Sequence, residues 1–338
     1  MMTISCFRPS SLIATALLCC SLLASAKDNA PAFTDPAKVT DPDFAVQGEY
    51  QVKDPRKQSW GVQVMAMGEG KFDFVVYPGG LPGDGWSGNK DQRMKGKATR
   101  DDKGRVILKL SGDGQEARGV LIGEELKLYP NDKEEEKEVF ATLVKVNRVS
   151  PTMGKKPPKD AVVLFDGSNA DAWTSKNDQL MDGNLLMRGV KSKETFEDFS
   201  IHLEFRTPYM PTARGQGRGN SGFYAQGRYE VQVLDSFGLE GKDNECGGIY
   251  SVGPPRINMC YPPLTWQTYD VDFKAADYGA DGKKTSNAEL TVRHNGVVIH
   301  QNQVADHSTT ASDLKEGPEP GPIVFQNHGN PVRYRNVW

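Results

Sequence analysis

Helical periodicity is what this 338-residue chain lacks most plainly. No stretch sustains apolar residues at the 3.6-residue spacing, and the only helical hint is short, which speaks against a helical bundle. An excess of positive charge is missing too. Lys and Arg number 41 against 44 Asp and Glu, a net charge of -3, so nothing favours nucleic acid as a partner. Cysteine is scarce at five, and three of these, Cys6, Cys19 and Cys20, fall in the first twenty residues. Beyond the apolar run "LIATALLCCSLLASA" near the N-terminus, no segment approaches the roughly 18 apolar residues of a membrane span. No Gly-x-Ser-x-Gly elbow appears, so nucleophilic serine chemistry is not expected.

Glycine (35) and proline (21) are plentiful, the punctuation of many short strands joined by turns. Arg8, the apolar run and the small-residue pattern Ala24-Ser25-Ala26 predict a signal peptide over 1–26. Leu18 precedes Cys19 where a lipid-anchored protein would want a small residue. The expectation is therefore a soluble exported protein, periplasmic or extracellular. Residues 27–43 read as a loose polar leader. Residues 44–148 carry short alternating runs such as "KFDFVVY" and "VFATLVKV", which predict a small antiparallel β domain. Its long loop "YPGGLPGDGWSGNKDQR" holds Trp86, expected exposed or half exposed, with packing favoured over binding. Residues 149–160, "SPTMGKKPPKD" within them, read as a linker. Residues 161–338 return to strands, with the pair Asn295-Gly296 in "RHNGVVIH" fitting a type I′ hairpin and His294 flanking that turn. Many strands at turn-separated spacing predict an all-β sandwich or jelly roll. The chain stops at Trp338 inside a strand-like run, the pattern of a truncated end.

With the signal removed, Cys246 and Cys260 remain. They fit a disulfide closing "CGGIYSVGPPRINMC" or two buried thiols, and both readings stay open. Side chains alternate across a strand, so faces can be read off. In "FSIHLEFRT" the apolar face is Ile201, Leu203 and Phe205, and the polar face holds Glu204 and Arg206. In "NSGFYAQGRYEVQVLD" the polar side carries Asn220, Tyr224, Gln226, Glu230 and Gln232. Gln326, His328 and Arg335 extend the set. If these strands neighbour one another, the outer face of one sheet is a polar trough suited to sugar hydroxyls; the alternative is an ordinary wet face. The acidic loop from Asp235 lacks EF-hand order, so no cofactor is expected, with Asp235 the weak candidate for Ca²⁺. Nothing in the sequence speaks to oligomeric state.

The motifs "AVVLFDG", "RGNSGFYAQGRYEVQVLDSFG", "NECGGIY", "PPLTWQTYDVDF", "VRHNGVVIHQN" and "GPIVFQNHGNPVRYRNVW" together resemble the 3-keto-disaccharide hydrolase domain, over residues 161–338. The resemblance implies a concanavalin A-like lectin/glucanase jelly roll and cleavage of glycosides already oxidised to a ketone at carbon 3. Laminarinase-type enzymes of that fold carry Glu-x-Asp-x-Glu on one strand. Here the run is Glu230-Val231-Gln232-Val233-Leu234, which does not supply the two carboxylates a retaining displacement needs. A 3-ketone removes the need, because it acidifies the proton at carbon 2. One base then suffices, with Glu230 or His328 the candidates and Arg206, Arg335, Gln232 and Tyr224 as donors. A non-catalytic, lectin-like carbohydrate-binding module is the alternative.

Overall fold

The structure, a computed structural model, describes residues 31–52, 59–112, 115–130, 139–176 and 179–338. The expected signal peptide, with Cys6, Cys19 and Cys20, lies outside the described residues. Eight antiparallel strands close a barrel: β1 (Gly48–Val52), β2 (Trp60–Gly68), β3 (Lys71–Pro78), β4 (Met94–Arg100), β5 (Val106–Gly112), β6 (Gln115–Ile122), β7 (Glu125–Tyr129) and β8 (Ala141–Val146), with β8 pairing back onto β1. Alternation drives the closure. Tyr50, Val62, Val64, Phe72, Phe74, Leu126 and Leu143 fill the interior, and a closed sheet leaves no free edge.

Twelve strands follow: β9 (Trp173–Ser175), β10 (Met181–Asp182), β11 (Leu185–Met187), β12 (Val190–Phe196), β13 (Phe199–Arg206), β14 (Ser221–Ala225), β15 (Tyr229–Val233), β16 (Gln267–Lys274), β17 (Ala288–His294), β18 (Val297–Ala305), β19 (Gly321–Phe325) and β20 (Arg333–Arg335). They form a seven-stranded sheet, ordered β10-β11-β20-β13-β16-β17-β18, and a five-stranded sheet, ordered β15-β14-β19-β12-β9. The chain is thus all-β, a jelly-roll sandwich preceded by a smaller antiparallel β domain. Leu203, Phe205, Tyr269 and Tyr334 of one sheet meet Phe223, Val231, Ile323 and Phe325 of the other in one core. Phe325 and Tyr334 stack between the sheets at 3.9 Å.

Several expectations change here. The leader is not loose from Phe33 onward. Phe33 exchanges backbone bonds with Tyr209 (3.0 and 2.9 Å), and Arg206 donates to the Thr34 carbonyl at 2.7 Å. Its apolar residues Phe33 and Val39 pack, with the adjoining Phe44, into the cluster that holds Tyr209. Trp86 is buried rather than exposed, edge-on to Tyr77 at 5.0 Å, because the outer wall of the barrel shares a core with the sandwich loops there. Asn295 and Gly296 have the positive φ values, 50° and 79°, that their turn demands. His294 flanks that turn and is also fully buried against Gln267 (2.9 Å), and burial pushes it down to about 3. Cys246 and Cys260 are free, buried thiols; Cys246 Sγ lies 3.2 Å from the Tyr269 hydroxyl.

Candidate active site

The predicted polar residues do not form one trough, because β13 and β20 belong to the seven-stranded sheet and β14, β15 and β19 to the five-stranded sheet. Both sheets turn their apolar faces to the same core, so the two polar sets lie on opposite sides of the sandwich. Alternation assigned Glu204, Arg206, Tyr224, Glu230, Gln232 and Arg335 to the correct face of their own sheets, while Gln226 and His328 lie off the strands. It carried no information about which strands are neighbours.

On the seven-stranded side, Glu204 (1 % exposed) is saturated with donors. It accepts from Gly154 N (2.6 Å), Asn336 Nδ2 (2.9 Å) and Arg335 Nε (2.6 Å). Burial opposes ionisation, yet bonds from His202, Asn336, Gly154 and Arg335 hold its carboxyl down at about 2. The expected linker is what covers it. Residues 150–154 cross this face, with Ser150 Oγ 2.6 Å from Thr268 Oγ1 and Thr152 Oγ1 donating to Asp270 at 2.7 Å. Arg206 and Arg335 lie over the Trp266 ring at 4.8 and 4.1 Å. Glu204, Arg206 and Arg335 therefore fasten the linker, leader and C-terminal segments to the sheet, and are not part of a sugar trough.

On the five-stranded side a registered row crosses the sheet. Thr174 of β9 pairs with Lys191 of β12, Lys191 with Val324 of β19, Val324 with Tyr224 of β14, and Tyr224 with Glu230 of β15. Paired residues share a face, so all five point outward. Over them lies a cleft of about 680 Å³, lined by Thr174, Lys176, Lys191, Tyr224, Val324, Asp313, Gln326 and Asn327 among others. Its volume suits a ligand of disaccharide size. Val324 supplies an apolar floor between polar ends.

Glu230 lies beside Tyr224 at the end of this row. It is 2 % exposed, and its Oε1 has no hydrogen-bond partner. Burial pushes its carboxyl up to about 8, and the neighbouring Tyr224 phenol offsets this only in part. Burial and the adjacent Glu230 charge push the Tyr224 phenol up in turn. The Tyr224 hydroxyl donates its one proton to the Thr310 carbonyl (3.2 Å) and accepts from Gln326 Nε2 (3.1 Å). Tyr224 is thus the cleft-facing end of a pair whose other end is a buried carboxyl. Room for Glu230 comes from Gly222, the neighbour of Tyr224 on the same face. A Cβ there would run into Glu230 Oε1 and the Tyr224 ring.

The segment 306–316 closes the outer side. Thr309 accepts from Glu230 N at 2.9 Å and donates to Arg228 O, and Leu314 N bonds to Gly227 O at 3.1 Å. Sequence reading missed Thr309, Thr310, Asp313, Lys191 and Gly222. Only the outward phase of Lys191 in "VKSKETF" was a signal, and without the strand order it pointed nowhere.

The remaining candidates separate into distinct roles. Asn220 and Gln232 share the outward face but are buried and spent on each other. Gln232 Nε2 donates to Asn220 Oδ1 at 2.8 Å, and Asn220 Nδ2 donates to the Gln216 carbonyl at 2.8 Å. Gln226 is not a cleft residue. It sits in the β14–β15 turn at φ 53° and ties that turn to Phe196 O (3.0 Å). His328 stands in the exposed loop after β19, not on a strand. That loop is held by Gln326 N on Gly222 O (2.9 Å) and Asn220 N on Asn330 Oδ1 (2.8 Å). Asp235, the metal candidate, is buried in an ion pair with Arg218 at 2.6 Å. Among the described residues no group of His, Cys, Asp or Glu is arranged to hold a metal.

The fold and site define an all-β jelly-roll sandwich with a polar cleft over one of its sheets. Residues 160–338 match the 3-keto-alpha-glucoside-1,2-lyase-like domain, and the chain belongs to this carbohydrate-active family. It is similar to two crystal structures from Parabacteroides distasonis, each described as a "putative glycosyl hydrolase". The first shares 32% identity over 54% of this chain and 83% of that one, with a TM-score of 0.49. The second shares 18% identity over 52% of this chain and 90% of that one, with a TM-score of 0.38. No curated protein matches the chain.

Proposed function

We propose that this protein is an exported enzyme that cleaves 3-keto-glycosides by proton abstraction at carbon 2, elimination and hydration. The observation that carries the reading is the Tyr224–Glu230 pair: a tyrosine lining the cleft, registered beside a buried carboxyl whose Oε1 has no partner and whose proton affinity is raised to about 8. A base poised near neutral pH is what abstraction beside a ketone requires. The proton at carbon 2 passes to the Tyr224 oxygen as the phenolic proton passes to Glu230. The C–H electron pair forms the enolate on the carbon-3 oxygen. The enolate then collapses and expels the aglycone from carbon 1 with its bonding electrons, and the aglycone oxygen takes up a proton. Water adds to carbon 1 as a proton returns to carbon 2. The net change is hydrolysis. Gln326 and Asn327 place amide donors along the cleft for the developing oxyanion.

The test is turnover of a synthetic 3-keto-disaccharide beside its unoxidised parent, in heavy water. The expected result is cleavage of the ketone alone, with deuterium at carbon 2 of the released sugar beyond a no-enzyme control. Cleavage of the unoxidised parent, or unlabelled product, refutes the reaction. The exclusion of Glu230 from the cleft lining favours one second reading, a lectin-like binding module. It predicts that both sugars bind and neither is cleaved. N-terminal sequencing of secreted protein, expected to begin at Lys27, tests export.

A further inference from the structure

The cleft is electrically lopsided. At the Tyr224 end stands Asp313, which lines the cleft and lies close enough to raise the Tyr224 phenol. At the β9–β12 end stand Lys176 and Lys191, both exposed, both lining the cleft, and both without an ion partner among the described residues. Register fixes their separation. Lys191 and Tyr224 flank Val324 on either side, two strand spacings apart, or about 10 Å. A sugar reacting over Tyr224 and Val324 therefore places its aglycone over Lys191 and Thr174. Two unpaired ammonium groups on the wall of a cleft attract negative charge, and Thr174 adds a hydroxyl beside them.

We propose that the aglycone half of the cleft takes an oxyanion, so that the preferred substrate is a 3-keto-glycoside whose second unit carries a carboxylate, sulfate or phosphate. This rests on the cleavage reaction for its orientation, but the charge preference is measurable without it. The probes are unoxidised disaccharides of one glycosidic linkage: a neutral parent and counterparts bearing a carboxylate, a sulfate ester or a phosphate ester on the reducing-end unit. Calorimetric titration at low salt is expected to give the anionic members about three- to tenfold tighter binding, the scale of one or two exposed charge pairs. The ranking of the three identifies which oxyanion fits. Lys191→Met is expected to remove most of the preference, read as the ratio of anionic to neutral affinity measured on the same variant. Lys176→Met is expected to do so more weakly, and salt at about 1 M should erase the preference, where screening acts within ~3 Å.

Equal affinity for neutral and anionic sugars overturns the proposal, as does a preference that survives Lys191→Met with Lys176→Met. The 3-keto derivatives of the same sugars separate the two readings. Cleavage of neutral and anionic ketones at equal kcat/KM overturns the charge preference and leaves the reaction standing. Tighter binding of the anion with cleavage of neither ketone overturns the reaction and leaves the preference standing.

Discussion

Two buried glutamates, one on each outer face of the sandwich, look alike in sequence and differ in what surrounds their oxygens. Glu204 has donors on both oxygens and a carboxyl held at about 2. Glu230 has an oxygen with no partner and a carboxyl raised to about 8. A carboxylate surrounded by donors is fixed in its charged form and can only hold things together. One that lacks them is kept near the point where it changes state. Burial alone does not distinguish structure from chemistry; what fills the lone pairs does.

That contrast can be broken by mutation. Glu230→Gln is expected to lower kcat on a 3-keto-disaccharide by about 10²–10⁴ while the protein stays folded, which rate measurements beside thermal melts will check. Glu204→Ala is expected to do the opposite. It leaves the Gly154 N–H without an acceptor and Asn336 Nδ2 with one fewer, while the partly exposed Arg335 guanidinium turns to water, so urea titration should report a loss of about 1–3 kcal/mol, with kcat of the folded fraction unchanged. Next in size is Gly222→Ala. The added methyl displaces the Glu230 carboxyl, and a misplacement of that kind costs up to about 10² in rate. Loss of rate with unaltered sugar binding is the signature. If Gly222→Ala retains full rate, Glu230 does not act from where it stands.

The pH responses sharpen the contrast further. The rate should rise with pH through about 8, because Glu230 must be ionised to accept a proton. Its folded-state value is raised, so the stability it contributes is fully present below the ordinary carboxylate range and is lost as pH rises through 8. Glu230→Gln should therefore melt higher than the wild type at pH 8 and differ least near pH 4. Glu204 has the reverse sign. Its value is depressed, so its contribution is present above about pH 4.5 and is lost only as pH falls through about 2.

Much of this was legible before the structure. Period-two alternation separated Phe223, Val231 and Val233 from Tyr224, Glu230 and Gln232, and all six lie as read. Asn295-Gly296 announced its hairpin through backbone chemistry that few other pairs satisfy. What could not be read was adjacency. The order β15-β14-β19-β12-β9 is non-local, set by crossovers between sheets, so a lysine on β12 and a tyrosine on β14 meet for reasons that neither local sequence contains. For the same reason Glu204 and Arg335 were grouped with Glu230. Trp86 erred differently. Its glycine-rich loop reads as surface, and only packing against a second domain buries it.

The segment 306–316, which lies over the β14–β15 hairpin, divides its labour between anchoring and lining the cleft. Its anchors are Thr309 and Leu314 on Arg228, Gly227 and Glu230 N, and Arg228 reaches back to Lys315 O at 2.8 Å. The residues that face the cleft, Ala311 and Asp313, hold none of these bonds. Substitutions at Asp313 can change the cleft wall without loosening the frame that holds Tyr224 and Glu230, whereas Ala311, at φ 60°, tolerates little beyond Gly or Asn. Selection is thereby free to retune specificity one wall residue at a time, on a scaffold whose chemistry stays put.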